Sequence, residues 1–589
     1  MALQQLNWFT HIGFSTSTLS HHKQTKLQPA LGVASSRTSS FLCLASTTSL
    51  NTQTERRSAN YKPNIWEYDF LKTVKNDFKD EVHLKRAVTL KDKVRQLISN
   101  QAKGAALNLL ELVDDIQRLG MGYLFEGEIR SALGSIKDVK MEETLHETAL
   151  RFRLFRQHGF IISQDIFRTF KDPQGNFKES FSQDVKGLLS LYEASYLSVE
   201  GEDILDEAKA FARLHLKNAK ANVDSILARL VNHALDLPLN LGIVRLEARW
   251  YINLYEKRKN ANHVVLELAK LDYNMVQAAH LKDVVDMSKW WNDLGLSKTL
   301  TFARDRLVES FLWSVGIQYE PQYKYCREGI TKLIILITTI DDVYDVYSTY
   351  EEAKLFTEAV ERWDVNTLDE LPDYMRACFL ALYNTINEIA YNTLKEHGLN
   401  VLPYLKKTWE VLCNAYLLEA KWFHSGYKPK LNEFLDNAWV STSGPLILLH
   451  SYILMDHEIT KEALDYLQTY PNLIRWSSMI TRLTDDMGTS KAELERGDVP
   501  KSIQCYMNDA GVTDEVAREH VRHLTDEAWK KMNAELWIDS PLPEAFVKVA
   551  VNFGRTGESF YQYEDGHGVP DGETRGRVLS LLVDTVPLV

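Results

Sequence analysis

From Tyr68 onward, apolar residues return every three or four positions. Val94, Leu97 and Ile98 followed by Leu107, Leu110 and Val113 are typical, and nothing reads as a run of alternating strands bounded by Gly or Pro. A period near 3.6 lets a segment bury one helical face and little else, so the spacing predicts an all-α chain. Turn-formers are scarce to match. With 27 Gly and 15 Pro in 589 residues, the chain falls well below the usual combined share of roughly 12 per cent, which points to long helices joined by short loops. The loop signals are Asp172-Pro173-Gln174-Gly175, Leu237-Pro238-Leu239, Gly426–Pro429, Tyr470-Pro471-Asn472 and Gly497–Pro500.

The length exceeds what one hydrophobic core usually serves, so two helical domains are expected. The polar stretch Glu256-Lys257-Arg258-Lys259-Asn260-Ala261-Asn262-His263 is the best boundary candidate, dividing an N-terminal domain (56–265) from a C-terminal one (266–589). No Gly/Ser linker separates them, which implies an extensive shared interface. Apolar runs such as Leu333–Leu336 fall far short of the roughly 20 residues that cross a bilayer, so no membrane span is expected. A formal charge of −12 excludes a protein whose main partner is the nucleic-acid backbone. Five scattered cysteines, Cys43, Cys326, Cys378, Cys413 and Cys505, show no zinc spacing, and buried thiols in a reducing compartment are expected.

The first 55 residues have a different composition. No Asp or Glu precedes Glu55, Ser and Thr crowd Ser15–Ser20 and Ser35–Ser49, and Lys23, Lys26 and Arg37 are the only Lys or Arg residues before it. Acid-poor, hydroxyl-rich and weakly basic, without an Arg-rich amphipathic pattern, is the composition of a transit peptide of plastid type.

Asp341-Asp342-Val343-Tyr344-Asp345 closes the apolar run Leu333–Ile340, which reads as a core helix. At about 100° per residue Asp341 and Asp345 share a face, with Asp342 beside them. Carboxylates stacked at the end of a buried helix repel one another unless a cation neutralises them, and hard oxygen donors suit Mg²⁺. Acidic pairs more often mark a solvated helix end, and Asp114-Asp115 is assigned so. A second cluster lifts the first above that reading: Asp485, Thr489 and Glu493 fall at i, i+4 and i+8, one stripe of three oxygen ligands. Ions held by few carboxylates complete their shells with water and phosphate oxygens, and basic groups stand at matching places in Arg304, Arg306, Arg482 and Lys501. Such an acid–base set reads as a metal–diphosphate site.

These residues resemble the plant terpene synthases, specifically the plastidial monoterpene cyclases, over essentially the whole chain after the leader. Asp341–Asp345 matches the family's D-D-x-x-D motif, Asp485, Thr489 and Glu493 its second metal motif, and Arg304–Arg306 its R-x-R pair. Arg56-Arg57, eight residues and Trp66 match the tandem-arginine motif, which in the family covers the active site and is associated with cyclic products. The class II motif D-x-D-D is absent from Glu55–His263.

The resemblance implies a class I catalytic domain at the C-terminus and a relict α-domain before it. It implies a monomer or homodimer of the plastid stroma once the leader is removed, with no nucleic-acid partner. Geranyl diphosphate would bind to three Mg²⁺ ions, Mn²⁺ being able to substitute, on Asp341, Asp342, Asp345, Asp485, Thr489 and Glu493, with Arg304, Arg306, Arg482 and Lys501 completing the clamp. Ionisation would give an allylic cation that must be kept from water, so the Arg56–Trp66 segment is expected as a lid. Trp313, seven residues after Arg306, and Ile334, seven before Asp341, should line an apolar pocket. Tyr561 and His567 match family positions near its mouth, His567 being equally a structural residue or a proton acceptor. Ser441-Thr442-Ser443-Gly444-Pro445 breaks a helical pattern and should turn carbonyls toward the cation, with Ser443 at the substrate. A cyclic C10 product is expected. The rivals are an acyclic linalool-type synthase, a sesquiterpene synthase using farnesyl diphosphate, a chain-elongating prenyltransferase, whose second D-D-x-x-D is missing here, and a catalytically silent scaffold.

Overall fold

A computed structural model describes residues 56–76, 78–139, 144–219 and 224–588. The expected leader lies outside them. Among the described residues every long element is a helix, and the one β-bridge, Lys171 to Phe177, only pins a turn. Among the described residues no helix is long and apolar enough to cross a membrane.

The core does not divide at the 256–263 stretch. The helix does break there: Val244–Tyr255 ends, and a 32-residue helix, His263–Leu294, begins under an Asn262 cap whose side chain accepts the Val264 and Val265 N–H groups. Packing nevertheless runs straight through. One apolar cluster joins Leu90, Val94 and Leu110, before the break, to Leu268, Phe311, Ile335 and Phe553 after it, while a smaller cluster from Leu145 to Ala234 stands by itself. The His263–Leu294 helix serves both halves because it packs against Glu81–Gln101 on one side and Lys324–Asp342 on the other. Its Asn274 side chain also clasps the C-terminal end, exchanging hydrogen bonds with the Val586 backbone at 2.7 and 2.8 Å.

Two helices set up the site. Lys324–Asp342 is buried along almost its whole length, and its Thr331, Thr338 and Thr339 hydroxyls satisfy themselves on carbonyls four residues back. Asn472–Arg496 stops at Gly497, whose left-handed φ of 78° lets the Asp498 N–H reach back to the Glu493 carbonyl. Cys326, Cys378, Cys413 and Cys505 are free and buried, and burial pushes each thiol up to about 12, leaving no reactive thiolate among them. Cys43 lies outside the described residues.

Candidate active site

A cavity of about 150 Å³ opens between the ends of these two helices. Asp341 and Asp345 line one wall, Asp485, Thr489 and Glu493 the facing one, and Arg304, Arg482 and Lys501 the space between. The first cluster reaches this position by a route the α-helical period does not contain. After Asp342 the backbone widens into a π turn, Val343–Tyr347, closed by the Ser348 N–H on the Val343 carbonyl at 2.9 Å. Asp345 stays beside Asp341 because four residues span roughly one turn in either geometry. Asp342 turns the other way. It is fully buried, accepts the Arg304 backbone N–H at 2.7 Å and Nε at 2.9 Å, and does not line the cavity. Its expected place as a metal ligand is therefore corrected: Asp342 holds Arg304 in position.

Arg306 is corrected as well. Fully buried and off the cavity, it donates from Nη2 to the Lys62 carbonyl at 2.6 Å and the Gly568 carbonyl at 3.0 Å. The segment from 303 to 306 is not helical, so Arg304 and Arg306 diverge, one into the cavity and the other into the seam between the N-terminal strap and the 564–568 loop. Asp486 has a comparable supporting place, buried behind Asp485 with one oxygen on Arg482 at 2.7 Å and the other on the Ser502 N–H at 3.1 Å.

Burial and mutual repulsion set the electrostatics. Asp341, Asp345 and Glu493 are all held above the ordinary carboxylate range by burial, and Asp341 raises Asp345 further. Burial pushes Asp485 up to about 7 against the pull of Arg482, which contacts it directly. Arg304 reaches Asp341 at 2.8 Å, and Lys501 stands 3.5 Å from Glu419. The acids thus draw their compensating charge from the cations beside them in the cavity, and one Glu493 oxygen, Oε2, is buried without any partner.

This donor set fits a hard divalent cation: carboxylate and hydroxyl oxygens, desolvated, too close to carry full charge without help. Among the described residues no three His, Cys, Asp or Glu side chains converge into a complete shell. Water and phosphate oxygens would have to fill the rest.

The floor is hydrocarbon. Trp313 stacks on Phe560 at 4.7 Å and leans on Phe553 and Tyr561 at 5.9 and 6.1 Å, with Ile334, Ile337 and Ile447 beside it. The helix break falls where the sequence placed it. Leu431–Ser441 ends, Gly444–Leu454 begins, and Ser443 between them is left-handed at φ 65° and lines the cavity. No Cβ fits at Gly444, because it would stand 2.0 Å from the Ser478 hydroxyl. Nearby hydroxyls spend their protons on the protein: Ser443 on the Thr442 carbonyl, Thr481 on Ser477, Ser441 on Glu419. His567 Nε2 lies 2.9 Å from Thr338 Oγ1, its Nδ1 has no partner, and burial followed by Arg304 and Arg306 holds the ring neutral. Burial and the adjacent Asp485 keep Tyr561 protonated. Trp291 stays in the core, bonded to Asp305 at 2.9 Å, and Trp290 also lies off the cavity.

Residues 56–66 form a strap tied to residues at and beside the cavity. Arg56 donates to the Tyr347 carbonyl at 3.1 Å and to Glu352 at 2.8 Å, and Arg57 to the Asp345 carbonyl at 2.9 Å and to Asp498 at 3.1 Å. The Trp66 indole, 8% exposed, donates to buried Glu309 at 2.8 Å. Tyr61, from the same strap, lays its ring 4.8 Å from the Arg304 guanidinium.

Arg496, Asp565 and Tyr416 are among the cavity residues not singled out from sequence. Arg496 continues the stripe of Asp485, Thr489 and Glu493 by one more turn, so its spacing was a usable signal. Asp565 sits inside the loop marked by Tyr561 and His567, where its carboxylate accepts the His567 and Gly568 N–H groups at 3.1 and 2.7 Å. Tyr416 enters from the Leu402–Ser425 helix with no local signal.

The family model for the metal-binding domain of the terpene synthases matches residues 292–531, and that for the terpene synthase N-terminal domain residues 65–235. A (-)-alpha-terpineol synthase of Vitis vinifera is 52% identical, over 90% of this chain and 91% of its own. A chloroplastic myrcene synthase of Quercus ilex is 49% identical over 90% of each. Among solved structures, isoprene synthase from Populus x canescens in complex with three Mg²⁺ ions and dimethylallyl-S-thiolodiphosphate superposes with a TM-score of 0.83 at 48% identity, covering 89% of this chain and all of that one.

Proposed function

The chain belongs to the terpene synthase family and is a lyase acting on prenyl diphosphates, and from this premise we propose that it is a plastid monoterpene synthase that converts geranyl diphosphate to a cyclic C10 product. The observation that carries the substrate reading is the pair of facing acidic walls, Asp341 with Asp345 and Asp485 with Thr489 and Glu493, above a floor of Trp313, Ile334 and Phe553. The top suits a diphosphate and the bottom a hydrocarbon.

Divalent metal, Mg²⁺ by analogy with the isoprene synthase complex, would be held by Asp341, Asp345, Asp485, Thr489 and Glu493, and would supply Lewis-acid neutralisation of the diphosphate charge. The protein's own groups do the rest. Arg304, Arg482, Lys501 and Arg496 place positive charge where the leaving group gathers it. The C–O bond of the allylic ester breaks with both electrons leaving on the diphosphate, and the C10 cation remains below. Trp313 and Phe553 offer ring faces that stabilise positive charge without a lone pair to trap it. The strap keeps out bulk water. Loss of a proton then ends the sequence as an olefin, and neutral His567, with Nδ1 unpartnered, is a suitable acceptor.

The cyclic outcome rests on Arg56, Arg57 and Trp66, whose bonds to Tyr347, Asp345 and Glu309 fasten the strap over the site and so prolong the cation's life. Plastid localisation rests on the acid-free leader and on the chloroplastic name of the Quercus relative. The isoprene synthase likeness favours one second reading, a shorter C5 substrate.

The test is product analysis by gas chromatography with mass detection. Protein starting at Arg56 is incubated with Mg²⁺ and, in parallel, dimethylallyl, geranyl, neryl or farnesyl diphosphate, with Asp341→Ala as control. Cyclic C10 products from geranyl diphosphate, lost in the control, are expected. Faster turnover of dimethylallyl or farnesyl diphosphate would overturn the substrate, and acyclic C10 products alone would overturn the cyclisation.

A further inference from the structure

A cavity of about 480 Å³ lies remote from the chemistry. It lies between the N-terminal helices Ala106–Arg118 and Leu145–Gln157 and the C-terminal helix Glu544–Phe560. None of its lining residues belongs to the site described above.

Its charges are paired with one exception on the cationic side. Arg118 is matched by Glu247, Arg130 by Glu544, Arg153 by Asp114, and Lys548 by Glu126. Among the described residues Arg555 has no ion pair. Its three hydrogen bonds all go to neutral amide oxygens: Nε to the Asn240 carbonyl at 2.8 Å, Nη2 to Asn240 Oδ1 at 3.1 Å, and Nη1 to Asn552 Oδ1 at 3.2 Å. A guanidinium carries five N–H groups, so one remains free on each terminal nitrogen. Burial lowers Arg555 to about 10, which still leaves it charged at neutral pH, and only Tyr319 acts on it electrostatically. Glu320, the remaining carboxyl on the lining, is not its counter-charge. Burial, with Glu126 adding, raises that carboxyl, and it accepts only from Gln322.

A half-buried, fixed guanidinium with two spare donors at the edge of a hollow is a matched receptor for a carboxylate. The same lining carries apolar side chains, among them Leu239, Val244, Val549 and Val551. We propose that this cavity is a binding site for a small organic anion, a monocarboxylate whose head takes the free edge of Arg555 and whose hydrocarbon body lies against these side chains. The same helix that presents Arg555 carries Phe553 into the catalytic cavity, so an occupant would sit against the back of the catalytic wall.

The test is isothermal titration of the protein from Arg56 onward with octanoate, octan-1-ol and acetate. Octanoate is expected to saturate one site, with the neutral alcohol and the bodiless acid each about tenfold or more weaker. Arg555→Gln should weaken octanoate by about tenfold or more. Val244→Phe, which fills the hollow and leaves the guanidinium untouched, should weaken it equally and keeps the test decisive if the Arg555 variant does not fold. Asp341→Ala should change nothing. Octanol binding as well as octanoate, unsaturable heats, full affinity in either cavity variant, or displacement of octanoate by inorganic diphosphate with Mg²⁺ would each overturn the proposal.

Discussion

Trp66→Phe is the most informative single change to the strap. The ring remains but the indole N–H that Glu309 accepts at 2.8 Å is gone. A hydrogen bond to the ionised carboxylate, the form Glu309 takes above about pH 7, is worth about 1.5–3 kcal/mol. The smaller ring also gives up roughly 40 Å² of buried apolar surface, about 1 kcal/mol. Together these cost about 3 kcal/mol, or roughly two decades in the equilibrium between fastened and open strap. The anchors at Arg56, Arg57, Lys62 and Tyr68 remain, so the loss should be felt as local opening and not as unfolding. Limited proteolysis reads that opening directly when closing is fast relative to cleavage. Cuts within 56–66 should accelerate by about ten- to a hundredfold while the body stays intact, and the product mixture should move toward acyclic and water-captured C10 compounds. Unchanged cleavage together with a lower melting temperature would refute the reasoning, because Trp66 would then be a core residue and no latch.

Three further outcomes are expected. Burial pushes the Glu309 carboxyl up to about 7. Between about pH 4.5 and 7 the folded protein therefore binds more protons there than the unfolded chain, and stability falls as pH rises through that window, by about 3 kcal/mol from this group. Urea denaturation at pH 5 and 8 should show this slope to be smaller in Glu309→Gln, and an identical slope would refute it. Gly444→Ala forces a Cβ to within 2.0 Å of the Ser478 hydroxyl. It should cost about 1–3 kcal/mol, visible as a lower melting temperature, and should alter the product ratio. Chelation with EDTA should abolish diphosphate release, with Mg²⁺ restoring it. Activity that survives chelation would show that the facing carboxylates do not work through a metal.

The sequence showed most clearly what the helical period controls. Asp485, Thr489 and Glu493 could be placed on one wall because i, i+4 and i+8 project together wherever a helix holds, and Trp313 and Ile334 followed by the same step of seven. What the period could not decide was which of two adjacent acids faces inward. Asp342 turns away from the cavity because Arg304, on a separate non-helical segment, captures both of its oxygens. Arg306 was misplaced for a related reason, since outside a helix two residues two positions apart have no fixed relation, and its partners Lys62 and Gly568 lie hundreds of positions away. Tyr416 and Asp565 reach the cavity only through tertiary packing. The π turn at Val343–Tyr347 left no mark in residue types, yet it did little harm because Asp341 and Asp345 remain neighbours in either geometry.

The strap has a consequence for how the molecule is made. Its anchors Glu352, Asp498, Glu309 and Asp571 lie between 243 and 509 residues downstream of the groups they hold. Closing loops of that size carries a large entropic cost, and contacts so distant in sequence form late. On the ribosome, Arg56, Arg57 and Lys62 emerge long before any of their partners exist. The residues synthesised first therefore find their places last, and a competent pocket can arise only after nearly the whole polypeptide has been released.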